Sequence, residues 1–210
     1  ISKKIIRNPK IVLISSTLIV LIALSGLWFV KVEVNVINFF KESTSIRKST
    51  DFIDKELSGS MNFTILSEGD FKDLNNIIFI DSLKKHINSL NNIPEIKQSI
   101  SYSDIVKESY KAFNTFMDTL IEDKYPDNNE HLSEIMLFAE DSGARKRIES
   151  IVNKDKNKTL ISYQMKNIST ERASEIAEFI DSEINNFNKE TNLTFKTTGL
   201  LIFLKDFVSM

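Results

Sequence analysis

The stretch TLISYQMKNISTERASEIAEFIDSEINNF, residues 159–187, carries the clearest fold signal in the sequence. Side chains alternate in its first part, and Ile161, Tyr163 and Met165 share one face, as in a half-buried β-strand. Ser169 then stands where a helix N-cap belongs, and apolar side chains follow it at helical spacing. These side chains are Ala173, Ile176, Ala177, Ile180, Ile184 and Phe187. The stretch therefore predicts a strand and then a long helix whose apolar stripe covers a sheet.

The same order of elements recurs on either side of this stretch. MNFTILS, residues 61–67, alternates like a strand, a helical pattern occupies about 76–92, and IKQSISY at 96–102 is a second strand. LTFKTT, residues 193–198, closes the series as the last strand. The sequence thus predicts β-α-β, a helical insertion over about 103–155, and β-α-β again. This is an α+β fold class with the split β-α-β order of ferredoxin-like domains.

The insertion and the approach to the first strand are predicted to be helical. Ser43 or Thr44 can cap a helix that runs to about Leu57. Gly59 stands where that helix is expected to stop. A DSG tripeptide separates the second and third helical patterns of the insertion. The apolar faces of the three patterns are predicted to be Ile105, Ala112, Phe113, Phe116 and Leu120, then Leu132, Ile135, Met136 and Ala139, and then Ile148 and Ile151.

Residues 11–30 form an uncharged apolar run near the start of the chain. At 1.5 Å per residue, about twenty residues span a hydrocarbon core of about 30 Å. A cleaved export signal is the alternative, but its apolar region is typically about 7–15 residues and ends in small residues. Trp28 sits where an interfacial aromatic belongs, and the hydroxyls of Ser15, Ser16 and Thr17 can bond to carbonyls one turn back. We predict a transmembrane helix.

The charges around this run predict its orientation. Residues 1–10 carry four basic side chains and no acidic one, whereas charges are balanced from Lys31 to Glu42. By the positive-inside rule, 1–10 is a cytoplasmic N-terminus and 31–199 is an extracytoplasmic domain. The apolar helix-like segment 200–210 is expected to be the truncated start of a return to the membrane. The expected location is the cytoplasmic membrane.

The composition suits a globular domain beyond the span. The chain has 210 residues, of which 41% are hydrophobic and 27% charged, and its net charge is −2. This balance gives no support for nucleic-acid binding. Cysteine is absent, so no disulfide framework holds the domain together. Its stability is expected to come from an ordinary hydrophobic core.

The side chains that could support catalysis are few. His86 is flanked by lysines on the predicted polar side of its helix, and His131 lies near Asp127, Glu130 and Glu134 without a recognised metal-ligand spacing. Both histidines are expected to be solvated. The cationic GARKR segment, 143–147, could meet an anionic head group but is expected to be a solvated face. No phosphate-binding loop, dinucleotide fingerprint or nucleophile elbow occurs. We assign no catalytic, cofactor or metal residue and predict a protein that is not an enzyme.

The layout resembles the beginning of an exporter of the resistance–nodulation–division superfamily, and most closely its MMPL-type branch. FFKESTSIRKSTDFIDKELSGSMNFTILSEGD, 39–70, is similar to the family's segment of helix, Gly-containing break and strand. IPEIKQSISYSDIVKESYKAFN, 93–114, resembles its pairing of an inter-helix Pro with a strand and a long helix. Residues 138–184 resemble its Ser-Gly break followed by strand and helix, and FKTTGLLIFL, 195–204, its closing strand and return toward a second span.

This resemblance implies a fragment of a proton-driven exporter of lipids or other hydrophobic compounds. The fragment would supply the first span and part of the extracytoplasmic porter domain. The implied partners are the lipid bilayer, the rest of the same transporter chain and a hydrophobic or amphiphilic substrate, and the resemblance leaves room for a homo-oligomer. The proton-carrying acidic residues would lie in later spans, since 11–30 contains no ionisable group. No substrate-binding residue carries over, because the family has no local motif for it.

Two other classes of protein fit the same layout. A single-pass membrane sensor whose extracytoplasmic domain binds a small ligand would also have a basic start, one span and an α/β outer domain. An anchored structural protein is the third alternative, although it gives no role to the apolar segment 200–210. The chain beyond Met210 would discriminate between the exporter and the sensor, since an exporter continues through further spans and a sensor through a cytoplasmic helix.

Overall fold

A computed structural model describes residues 9–27, 35–117 and 124–208 of the chain. They divide into two units, Ile1–Glu33 and Val34–Met210, which are described separately below. The predicted cytoplasmic segment 1–10 lies outside the described residues except for its last two.

The described part of the first unit is a helix, α1, which spans Pro9–Leu27. Pro9 is at the first position of this helix, where its missing N–H removes no intrahelical hydrogen bond. Ser15 and Ser16 each donate to a carbonyl three residues back at 3.0 Å, as predicted for hydroxyls in an apolar helix. The end of the predicted span, 28–30, lies outside the described residues. Nowhere in the described ranges is a helix long and apolar enough to cross a membrane.

The second unit contains both helices and strands. A 3₁₀ turn, Val36–Phe39, precedes them. The helices and strands are α2 Ser45–Glu56, β1 Met61–Glu68, α3 Leu74–Ser89, β2 Ile96–Ile100, α4 Tyr102–Phe116, α5 Asn129–Ala139, α6 Arg145–Glu149, β3 Lys158–Met165, α7 Thr170–Glu190, β4 Thr194–Thr198 and α8 Leu200–Val208.

Four strands of the described residues form one sheet in the order β2-β3-β1-β4. Each neighbouring pair is antiparallel. β3 therefore lies between β1 and β2, which the chain joins through α3, and this is the split β-α-β arrangement. The α+β class and the predicted order of β-α-β units around a helical insertion are confirmed.

The core lies between one face of the sheet and the helices α3 and α7. Alternate residues of β1 and β3 are buried, and the register places Phe63 opposite Tyr163. Their rings stack with centroids 4.6 Å apart, which adds a specific contact to the area that they bury. α7 has the predicted N-cap, Ser169. Its predicted stripe is buried at Ala173, Ile176, Ala177, Ile180 and Ile184.

Three boundaries near the first β-α-β unit differ from the prediction. One is the end of α3, which lies at Ser89 and not near residue 92, because the C-cap Leu90 has an extended backbone conformation. α3 begins two residues earlier than expected because the Asp73 carboxylate accepts a hydrogen bond from the backbone N–H of Asn75 and caps the helix. β2 ends at Ile100, since Ser101 and Asp104 form a capping box that starts α4 at once.

The predicted apolar face of α4 is wrong in part. Ala112 is exposed and Phe116 is 75% exposed, and Leu120 lies outside the described residues. The buried face is earlier in the helix, because only its first turns pack against α3 and the sheet. The buried residues are Tyr102, Ser103, Ile105, Val106, Ser109 and Tyr110.

The rest of the insertion follows the prediction more closely. The face of α5 is buried at all four predicted positions, namely Leu132, Ile135, Met136 and Ala139. Gly143 has φ 97° inside the turn Glu140–Ala144, and it separates α5 from α6 as the DSG tripeptide predicted. Ile148 is buried and Ile151 half-buried.

Candidate functional site

An apolar cavity of about 280 Å³ is the candidate functional site. It lies within the second unit, at the end of the sheet where β1 begins and where β3 and β4 end. Its volume is near the lower end of the range of about 300–1,000 Å³ for small-molecule sites. It is lined by Ile37, Thr50, Ser60, Met61, Asn167, Ile168, Leu200 and Leu204.

The strand register brings these distant parts of the sequence together. Met61 at the start of β1 pairs with Met165 at the end of β3, so the segment that follows β3 returns past the beginning of β1. The backbone N–H of Ile168 is 3.3 Å from the sulfur of Met61. β4 also ends beside β1, with Thr198 opposite Thr64.

α8 closes the cavity from the side of β4. Gly199 has φ 94°, a left-handed conformation that lets the chain turn directly from β4 into α8. Leu200 and Leu204 are four residues apart and so lie on one face of α8. Both line the cavity, whereas Phe203 is 65% exposed.

One carboxylate organises the polar part of the cavity wall. Asp54 Oδ1 accepts hydrogen bonds from the backbone N–H and the hydroxyl of Ser60, both at 2.7 Å. Asp54 Oδ2 accepts from the backbone N–H of Asn167 at 3.0 Å. The Asn167 side chain in turn donates to Asn35 Oδ1 at 2.8 Å. Asp54 thus ties α2 to the entry of β1 and to the segment after β3.

Gly59 allows the turn between α2 and β1 to lie close to the backbone at the end of β3. This residue has φ 98°, and a Cβ atom placed on it would be 2.1 Å from the carbonyl oxygen of Met165. No other residue type fits here without moving the backbone. The close approach sets the position of Ser60 and Met61, the next two residues along the chain.

A buried ion cluster joins α3 to α4 and is the strongest polar feature of the molecule. Asp81 and Lys84 of α3 are 3% and 6% exposed, and their charged groups are 3.0 Å apart. Asp81 also binds Lys107 of α4 at 2.8 Å, and Lys84 binds Asp104 of α4. The hydroxyl of Ser103 donates to Asp81 at 3.3 Å.

The electrostatics of this cluster favour its ionised form. Burial by itself raises the pKa of Asp81. Hydrogen bonds from Lys107, Lys85 and Lys84 together lower this pKa by a larger amount, so that it lies well below the usual carboxyl range. Burial also raises the pKa of the nearby Tyr163, so its phenol stays protonated. Because the charged groups satisfy one another away from solvent, we interpret the cluster as a structural link and not as a binding site.

The structure places neither histidine in a group of side chains that could bind a metal ion. His86 was expected to be solvated, and its side chain is 38% exposed, but its Nε2 is also 2.6 Å from Glu183 Oε2 and its ring is 5.1 Å from that of Phe187. The reason is that α3 and α7 pack side by side, so the flank of α3 that carries His86 faces α7. Among the described residues, no group of His, Cys, Asp or Glu could hold a metal ion.

His131 lies at a helix start, as predicted, but it is only partly solvated. Its backbone N–H donates to Asn128, the N-cap of α5, at 2.9 Å. Its ring packs 5.4 Å from that of Tyr110, and Nδ1 is 3.6 Å from Asp127. The neighbouring Glu130 is exposed.

The cationic segment 143–147 is a solvated face, as predicted. Arg145, Lys146 and Arg147 are exposed. Arg147 binds the carboxylate of Glu108, which partly neutralises the segment.

The sequence alone gave no indication of the cavity, because its lining comes from five separate segments. A signal for the ion cluster was present but was missed. Asp81 and Lys84 follow Ile77 by four and seven residues, so they fall on the buried stripe of α3, and their opposite charges are three residues apart. Charged residues at such positions point to buried partners from another element.

Comparisons with known proteins do not assign a family. No family model matches the chain, and neither the curated proteins nor the solved structures contain a match.

Proposed function

We propose that this chain supplies the first membrane span and part of the extracytoplasmic porter domain of a proton-driven exporter of the resistance–nodulation–division superfamily. Its cargo would be a lipid or another hydrophobic compound, and it would catalyse no reaction of its own. The apolar cavity beside β1 carries the proposal, because it offers a concave apolar surface near the size of known ligand sites. The local resemblances and the split β-α-β order support the same conclusion.

The exposed aliphatic side chains of α1 support the proposal that this helix lies in the membrane. Nine of its large aliphatic side chains are between 37% and 69% exposed, which in water leaves unfavourable apolar surface around the helix. The sequence continues uncharged to Val30. Ser25 also donates to the carbonyl of Ile22, so its hydroxyl needs no water. With the basic residues 1–10 on the cytoplasmic side, the second unit would face outward.

A photo-crosslinking experiment on the full chain in lipid nanodiscs tests whether the cavity takes hydrophobic cargo. The probe is dodecane that carries a diazirine, and mass spectrometry locates the labelled residues. We expect label in segments 60–61, 167–168 and 200–204. Leu204→Asp should lower that label at least about fivefold, because a carboxylate in an apolar cavity is costly.

Phe203→Asp is the matched control, because it makes the same change on the same helix at a residue that does not line the cavity. It should leave the label unchanged. Equal labelling of the wild type and both variants, with no enrichment in the three segments, would contradict the proposed cargo site.

The cavity also fits the second candidate, a single-pass membrane sensor, since a sensor needs a concave ligand site as well. Cells that express the complete gene discriminate between the two. An exporter lowers the accumulation of a hydrophobic dye, and dissipation of the proton gradient should abolish the effect. A sensor would leave dye accumulation unchanged.

A further inference from the structure

The polar groups of the cavity lie together at one place on its wall. Ser60 and Asn167 are both bound to the carboxylate of Asp54, so they must be close neighbours. Thr50 lies one helical turn before Asp54 on α2 and therefore on the same face of that helix. The remaining lining residues are aliphatic or Met. The cavity thus has one polar end and an apolar body.

The hydrogen bonds that already exist determine what this polar end can offer a ligand. The Ser60 hydroxyl proton is donated to Asp54, so its oxygen has lone pairs left to accept. The Asn167 side-chain amide donates to Asn35, and its carbonyl oxygen faces no partner within the described ranges. Ser60 and Asn167 therefore act mainly as acceptors and favour a head group that donates, while the Thr50 hydroxyl can donate or accept.

The negative charge of Asp54, next to the polar end, disfavours ligands with an anionic head group. None of the described lining residues is charged, but the Asp54 carboxylate lies directly behind Ser60 and Asn167. Of the three cations on the same helix, Arg47 and Lys55 are paired with Asp51 and Glu56, and Lys48 is exposed to solvent, where its charge is screened. An anionic head group would therefore meet a negative potential and two groups that accept hydrogen bonds.

We infer that the cavity binds a single-chain amphiphile with an uncharged head group that donates hydrogen bonds, such as an alcohol, and that it discriminates against anionic head groups. The volume of about 280 Å³, near the lower end of the range for small-molecule sites, suits one chain of medium length. This inference rests on the proposed cargo site and names the chemistry of the cargo.

Two crosslinkers of equal length test the inference on the full chain in nanodiscs at pH 8. One is 1-decanol and the other decanoate, each with a diazirine at the same carbon, and decanoate is ionised at this pH. Label in segments 60–61, 167–168 and 200–204 is divided by the label recovered on the nanodisc lipid, which corrects for partitioning. We expect the alcohol to label these segments about tenfold more than the carboxylate.

Two variants identify the residues responsible. Asp54→Asn removes the negative charge and should reduce the preference to about twofold by raising the label from decanoate. Ser60→Ala removes one acceptor at an exposed position and should lower the label from decanol about threefold without changing that from decanoate. Circular dichroism of each variant confirms that it is folded.

The outcomes separate this inference from the proposed function. Equal labelling by the two probes would overturn the head-group selection while leaving the cargo site in place. Preferential labelling by decanoate would also overturn it. Absence of cavity label from both probes and from dodecane would overturn the cargo site itself.

Discussion

At the scale of single residues, Gly59 and Asp54 shape one wall of the candidate site. Gly59 allows the α2–β1 turn to approach the backbone of Met165, and its N–H donates to the carbonyl of Ile53 at 3.3 Å. Asp54 then holds Ser60 in place. The sequence predicted Gly59 as a helix stop, but the contact with Met165 depends on β3, about a hundred residues away, and no local pattern encodes it.

Gly59→Ala is expected to destabilise the chain by at least about 2 kcal/mol, because a Cβ atom adds a backbone clash to the cost of a left-handed conformation. Urea unfolding of the full chain in mild detergent, followed by circular dichroism, measures the change. Gly143→Ala is the matched control, since its φ of 97° is similar and no atom lies within 4 Å of the added Cβ. It should cost about 1 kcal/mol. Equal losses in the two variants would show that the contact with Met165 has no energetic role.

At the scale of elements, α3 and α4 are joined by charges as well as by apolar packing. The Asp81 carboxylate forms ion pairs with Lys84 of its own helix and with Lys107 of α4. Lys84 also forms an ion pair with Asp104. The helical insertion is thereby fixed to the helix that covers the sheet. Such a cluster contributes little net stability relative to apolar side chains, but removal of one member leaves buried charge without compensation.

Asp81→Asn is expected to lower the free energy of unfolding by about 3–5 kcal/mol at pH 7. The pKa of Asp81 in the folded state lies below its unfolded value of about 4, so its stabilising effect is present above that pH and is lost as the pH falls further. The difference between wild type and variant should therefore be constant from about pH 7 to 5 and shrink below about pH 4.

Asp155→Asn, at an exposed loop position, serves as the control and should change stability by less than about 0.5 kcal/mol. A difference between wild type and Asp81→Asn that does not depend on pH would contradict an ionised Asp81 in the folded state.

The spacing of apolar residues predicted the buried face of some helices but not that of α4. In α7 and α5 one face meets the core along most of the helix, and the 3.6-residue pattern identified that face. α4 leaves the core after its first turns, so the aromatic residues near its end, such as Phe116, are exposed despite their spacing. The Phe116 ring instead contacts Phe138 of α5, with the ring centroids 6.0 Å apart.

At the scale of the whole molecule, the two units have different surfaces. α1 exposes aliphatic side chains around its length, whereas the second unit buries most of its large aliphatic residues between the sheet and the helices. A helix of the first kind is stable in hydrocarbon, where its backbone groups bond within the helix. This contrast is the reason for proposing α1 as a membrane span.

The double variant Leu18→Lys, Ile22→Lys tests the membrane proposal. Two lysines near the middle of the run should oppose insertion by about 5–7 kcal/mol, and the chain should leave the membrane fraction after a carbonate wash. The control Leu18→Ile, Ile22→Leu keeps the apolar character and should stay in the membrane pellet, as should the wild type. Recovery of the wild type in the supernatant would refute a span at α1.

The sequence by itself determined the α+β class, the order of the strands and helices along the chain, and most of the buried faces. These follow from local periodicity and from capping residues such as Ser169, which act over a few residues. It also supplied the uncharged run 11–30, although its role as a span remains a proposal.

Only the tertiary structure decided the candidate site and the polar contacts of the core. The cavity forms because the register of β1 with β3 and β4 brings Met61, Ile168 and Leu200 to one end of the sheet. The ion cluster and the pair of His86 with Glu183 likewise depend on how helices pack. Strand register and helix packing are set by contacts between residues far apart in the chain, and such contacts leave no periodic pattern in one sequence.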